Sequence, residues 1–70
     1  MKEYISNEVS KLRSQNSITQ EELAEELEVS RQTIIAIEKG NYTPSVLLAL
    51  KISAYFKLSV EHIFKISYEK

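Results

Sequence analysis

Ser30-Arg31-Gln32-Thr33 places four hydrogen-bonding side chains at the head of a segment whose next apolar residues are Ile34 and Ile37. The chain's only glycine, Gly40, and its only proline, Pro44, follow soon after. An arginine can grip a guanine edge through two hydrogen bonds, a glutamine can do the same with adenine, and a threonine can bond a phosphate or touch a thymine methyl. A core helix would open on apolar residues instead. In isolation these four residues also read as an ordinary capped, solvated helix start. What decides between the two is the set of elements that holds them.

Other chemistry has little to work with. The chain has no cysteine and one histidine, His62, so a disulfide framework, a Cys/His zinc site and a thiol nucleophile are excluded. His62 has no nucleophile or second histidine beside it and reads as a surface or boundary residue of a late helix. Glu21, Glu22, Glu25, Glu26 and Glu28 lack histidine partners and calcium-loop spacing, so they read as a solvated face. No metal and no cofactor is expected, and no pair of residues has catalytic spacing, so the chain is not expected to be an enzyme.

Seventy residues suit one domain with a small helical core, which buries about 60% of the surface of its unfolded chain. The longest apolar run, Val46 to Leu50, is far short of the ~20 residues that span a bilayer. No membrane association is expected, and a cysteine-free chain suits a reducing cytoplasm. The net charge is −1 and the pI about 5.8, which weighs mildly against nucleic acid. The charge is unevenly spread, however. Five of the ten acids fall in residues 19–29, where there is no base, so elsewhere nine bases face five acids and a positive face remains possible.

Periodicity and punctuation supply the elements. Ile5, Val9 and Leu12 recur at helical spacing and predict a first helix of about three turns, ending near Gln15-Asn16-Ser17. Thr19-Gln20-Glu21-Glu22 is a capping-box pattern that opens a second helix with Leu23, Ala24 and Leu27 inward. Ser30 caps a third, and Gly40 ends it. Ser45 caps a fourth helix with Leu48, Ala49, Ile52 and Phe56 inward, and Ser59 a short fifth holding Val60, Ile63 and Phe64. The tail Lys65-Ile66-Ser67-Tyr68 alternates polar and apolar, a pattern that permits an extended segment without requiring one.

Two short helices joined by about three residues describe a helix-turn-helix. Ala24 provides the small residue such a crossing needs, and Val29 the apolar plug at the turn. In that arrangement the N-terminal side chains of the second helix enter the major groove of DNA, and Arg31, Gln32 and Thr33 occupy that end.

The run TQEELAEELEVSRQTIIAIEKGNYTPS resembles the helix-turn-helix of the phage repressor and Cro family, also called XRE-like, and its short stand-alone bacterial members most of all. The likeness extends over about residues 9–64. Leu12-Arg13, Thr19 to Ala24, Ser30 to Ile34, Ile37-Glu38, Gly40, Pro44-Ser45 and Ser59 all fall at family spacing. The resemblance implies an all-α fold, a compact five-helix bundle of the lambda-repressor-like DNA-binding type, in which residues 1–70 form one DNA-binding domain. It implies a sequence-specific transcriptional regulator that binds double-stranded DNA with a recognition helix at about 31–38 in the major groove. Arg31 and Gln32 would then read bases, and Gln20 would contact a phosphate. Ser30, Thr33, Lys39, Asn41 and Tyr42 would line the backbone, with Ala36 one turn along the reading face. Arg13 and Glu38 match a family ion pair that joins the first helix to the third. So small a reading surface usually works as a homodimer, and Leu47, Leu50, Tyr55, Ile66 and Tyr68 are candidates either for that interface or for the core.

Three departures from the family stand out. Ser17, Glu28 and Lys57 occupy positions where glycine is frequent and the backbone is expected to be left-handed, each costing on the order of 1 kcal/mol. An alternative function keeps the same bundle but makes it a protein-interaction module with an antitoxin-like or anti-repressor partner. The low pI and the acidic second helix favour that alternative.

Overall fold

A computed structural model of the chain describes residues 2–69. In order, its elements are β1 (Lys2–Asn7), α1 (Val9–Gln15), α2 (Gln20–Leu27), α3 (Arg31–Lys39), α4 (Val46–Phe56), α5 (Val60–Ile63) and β2 (Phe64–Glu69).

The helix boundaries follow from side-chain caps. Thr19 Oγ1 accepts from the Glu22 N–H at 3.0 Å while Glu22 Oε1 accepts from the Thr19 N–H at 2.8 Å, which closes the capping box of α2. Ser30 Oγ accepts from the Thr33 N–H at 3.2 Å and Ser45 Oγ from the Leu48 N–H at 3.1 Å. At the other ends Glu28 (φ 60°), Gly40 (φ 80°) and Lys57 (φ 58°) turn the chain in the left-handed region, and Ser17 (φ 55°) does so in the loop after α1. Between the caps, Val9, Leu23, Ala24, Leu27, Ile34, Ile37, Leu48, Ile52 and Ile63 form the buried core. Leu12, Ile18, Val29, Phe56 and Phe64 pack against it in part. Ala24 is buried and Val29 half-buried, as a tight α2–α3 junction requires.

The fold departs from an all-α bundle at the chain ends. β1 and β2 pair antiparallel in register from Lys2 opposite Glu69 to Asn7 opposite Phe64, so a small sheet stands beside the five helices. Ile5 therefore belongs to β1 and faces Ile66, and α1 begins only at Val9. Phe64 likewise opens β2 instead of extending α5. The helical spacing of Ile5 with Val9 and Leu12 is a coincidence of two elements. What gives Ile5 its conformation is a ladder to residues some sixty positions away, which a local period does not register.

A two-stranded ladder is marginal alone. Here it is welded to the helices. The Glu8 N–H donates to the Ile63 carbonyl at 2.9 Å, and the Ser6 and Ser67 hydroxyls pair across the strands at 2.9 Å. Asn7 works in two directions. Its Oδ1 accepts from the Val9 N–H at 3.1 Å, doing the work that Glu8 as N-cap does not, and its Nδ2 donates to the Ile37 carbonyl at 2.9 Å in the last turn of α3. The paired termini thus hold both the start of α1 and the end of α3.

Candidate nucleic-acid interface

The α2–turn–α3 unit is built from short-range signals. The Val29 N–H donates to the Ala24 carbonyl at 3.0 Å, and the Glu28 N–H to the Glu25 carbonyl at 3.2 Å, so α2 ends as Glu28 turns left-handed. Ser30 then starts α3 at once. With Ile34 and Ile37 buried, the opposite side of α3 must face outward.

Arg31 and Gln32 lie exposed at the head of α3, and neither makes a side-chain hydrogen bond or ion pair with another described residue. Both are N-terminal on their helix and free to bond elsewhere. Ser30 and Thr33 are more constrained, because their hydroxyls lie 3.0 Å apart and bond each other while Ser30 caps the helix. Ala36 is half-buried one turn further on. Lys39 and Asn41 are exposed at the far end, with Lys39 about 12 Å along the axis from Arg31. Tyr42 is half exposed in the loop that follows.

The site residues do not converge on one pocket. Gln20 and Arg31 share a groove with Arg13, Ser17, Ile18, Thr19 and Glu21. Thr33 and Tyr42 border a second groove against Glu28, Val29 and the start of α4. Lys39 lies beside β1, near Tyr4, Ser6 and Asn7. The set is therefore an extended surface about one helix long. An extended surface suits a polymer better than a small molecule, whose sites are concave and enclosing.

Arg13 and Glu38 meet beneath this surface. Arg13 Nε donates to Glu38 Oε2 at 2.8 Å and Nη2 to Oε1 at 3.3 Å, a two-point pair whose side chains are 17% and 8% exposed. Arg13 Nη1 also donates to the Ile18 carbonyl at 3.1 Å, tying α1 to the loop before α2. The hydrogen bond that Arg13 donates to Glu38, opposed by burial and helped by the carboxylate charge, pushes the guanidinium above its ordinary value. Gln20 joins the same group, with Nε2 donating to Glu38 Oε1 at 3.0 Å.

Ile35 is a residue that sequence reasoning passes over. It is half-buried at i+4 from Arg31 and i+3 from Gln32, hence on their face, where a branched apolar side chain can meet a thymine methyl. The signal was available, since Ile34 and Ile37 already fill the inward side.

Glu21, Glu22, Glu25 and Glu26 of α2 and Glu28 at its C-cap are exposed. Glu28 pairs loosely with Lys51 at 3.6 Å, and Lys51 Nζ also donates to the Leu27 carbonyl at the α2 C-terminus. His62 Nδ1 lies 2.6 Å from Ser59 Oγ, a local contact at the head of α5. Among the described residues no three of His, Asp and Glu gather as metal ligands would. Among the described residues no helix is long and apolar enough to cross a membrane.

Comparison with known proteins bears on the same segment. A Bacteroides fragilis protein proposed to bind DNA has a crystal structure that superposes with a TM-score of 0.77 over 87% of this chain and 98% of its own, at 18% identity, which is a likeness of fold. An uncharacterized HTH-type transcriptional regulator of Methanocaldococcus jannaschii is 53% identical over 58 residues, covering 83% of this chain and 88% of its own. The uncharacterized HTH-type transcriptional regulator YgzD of Bacillus subtilis is 50% identical over the same shares. The helix-turn-helix family profile matches residues 9–63, the stretch from the start of α1 to the end of α5 that carries the caps, the turn and the exposed head of α3, and the chain belongs to the XRE-like helix-turn-helix family.

Proposed function

We propose that this helix-turn-helix protein is a transcriptional regulator that binds double-stranded DNA sequence-specifically through the N-terminal half of α3. The observation that carries the reading is the pair Arg31 and Gln32, exposed and unengaged directly after the Ser30 cap. In the major groove they meet base edges, Arg31 suited to guanine and Gln32 to adenine. Ile35 and Ala36 follow on the same face. Gln20, at the head of α2, and Lys39, the last residue of α3, with Asn41 and Tyr42 beyond it, flank this strip and fit the sugar–phosphate backbone on either side. Ser30 and Thr33 contribute mainly by capping, with hydroxyl lone pairs left for a phosphate-bound water.

In this reading residues 1–70 act as one DNA-binding domain, in the cytoplasm, as a homodimer on its operator and without enzymatic activity. The exposed apolar side chains Leu47, Leu50, Tyr55, Ile66 and Tyr68 support self-association, because none of the five is used up in the core. Two half-sites one helical turn apart, ~34 Å, match such a dimer.

The test is titration of variants, each shown to be folded by circular dichroism, against a selected operator and its single-base changes at one salt concentration. Arg31→Ala and Gln32→Ala each lose about 1–3 kcal/mol and relax preference at one position, whereas Gln20→Ala weakens binding to every sequence alike. If both α3 variants bind the whole panel as the parent does, the reading helix is wrongly assigned, and the acidic face of α2 makes a protein partner the better explanation.

A further inference from the structure

We infer that Glu38 is a positioning residue for the DNA backbone, acting through Gln20, so that the ion pair with Arg13 serves binding as well as stability. The inference rests on the DNA-binding reading given above.

The geometry has three parts. Glu38 lies on α3, the proposed reading helix, and its carboxylate is nearly buried. Oε2 takes the 2.8 Å bond from Arg13 Nε, which fixes the carboxylate plane. Oε1 takes the 3.0 Å bond from Gln20 Nε2 while sharing Arg13 Nη2 at 3.3 Å. A primary amide has two N–H groups on that nitrogen, so one is committed to Glu38 and the other is left for an acceptor outside the chain. Gln20 borders the open groove that also includes Arg13 and Arg31. The free N–H is therefore held at a groove edge next to the α2 N-terminus, whose first backbone N–H groups have no partner within their helix.

A glutamine on a helix start is otherwise a flexible side chain that must lose rotamer freedom when it binds. The Glu38 bond has already removed that freedom. It also spans two helices, so the phosphate contact made from α2 keeps a set distance to the base contacts made from α3. An unpaired carboxylate so near a phosphate would repel it. Arg13 supplies the compensating charge and leaves Glu38 acting as a hydrogen-bond anchor, while the exposed Glu21 at the groove rim remains an opposing charge. Having one rotamer-rich side chain ordered before binding corresponds to about three- to tenfold in affinity.

The experiment is a double-mutant cycle on binding. Parent, Glu38→Ala, Gln20→Ala and the double variant are titrated against operator and random duplex, at a temperature where circular dichroism shows each to be folded. Glu38→Ala should weaken binding to both DNAs by the same factor, about three- to tenfold, with sequence preference intact. In the Gln20→Ala background the same change should cause no such loss, because all that is left to act is the Arg13 charge it frees, which attracts phosphate. If Glu38→Ala does not fold, Glu38→Asp replaces it, since it keeps the negative charge that balances Arg13 while drawing the carboxylate back by one methylene from both partners, Gln20 included. Losses that multiply, or a Glu38 effect confined to one DNA sequence, overturn the positioning role and leave the DNA reading intact. A parent that binds no duplex DNA overturns both.

Discussion

Arg13 and Glu38 show what a single pair contributes when it is mostly out of water. Removing one partner strands the other's charge in a site with little solvent, and the loss reaches as much as ~3 kcal/mol, whereas removing both costs clearly less than the sum of the two. An exposed pair would couple by under ~1 kcal/mol. A double-mutant cycle on urea unfolding measures the coupling, and additive losses would show that the pair is solvated. Folding favours the protonated guanidinium, chiefly through the Glu38 hydrogen bond. The contribution is therefore full at every pH below the ordinary arginine value and fades only as pH rises through the elevated one, far above neutrality. This pair is legible in the sequence through the family resemblance. The Gln20–Glu38 bond is not, because nothing local links an amide to a carboxylate on another helix 18 positions on.

At the scale of elements, what was legible is what is encoded within four or five residues. Thr19 with Glu22, Ser30, Ser45 and Gly40 mark helix ends that the structure closes at those same residues, through hydrogen bonds reaching only three positions ahead or a left-handed turn. The strands lay outside that range. Tyr4-Ile5-Ser6 takes its extended form from Ile66 and Ser67 at the opposite terminus, and the polar–apolar alternation of the tail alone left the matter open. Glu28 tests the turn between α2 and α3. At φ 60° it bears a Cβ penalty that glycine lacks, and its contact with Lys51 is worth little because the Glu28 side chain is 82% exposed. Glu28→Gly should stabilise by roughly 0.5–1 kcal/mol after the unfolded-state entropy of glycine is deducted, which raises Tm by about 2–8 °C in so small a domain. Thermal melts of the two proteins in one buffer check this, and a lower Tm for the variant would contradict the strain assigned to the turn.

For the whole molecule, net charge is a poor guide. A chain of charge −1 gathers five of its nine exposed acids on α2 and its C-cap Glu28, and in the proposed reading the base-contacting residues lie on α3, so one surface can approach a polyanion although the total is slightly negative. In the proposed reading, the exposed apolar residues of α4 and β2 are the candidates for contact with a second copy. Both features converge on a single measurement, selection of bound sites from a random duplex pool by the intact chain. A dimer that reads DNA through α3 enriches two related half-sites in inverted orientation, about 10 base pairs centre to centre, with guanine and adenine at the positions that Arg31→Ala and Gln32→Ala leave unselected. A pool that remains random after repeated rounds, or a consensus that is unchanged in both variants, would contradict the account.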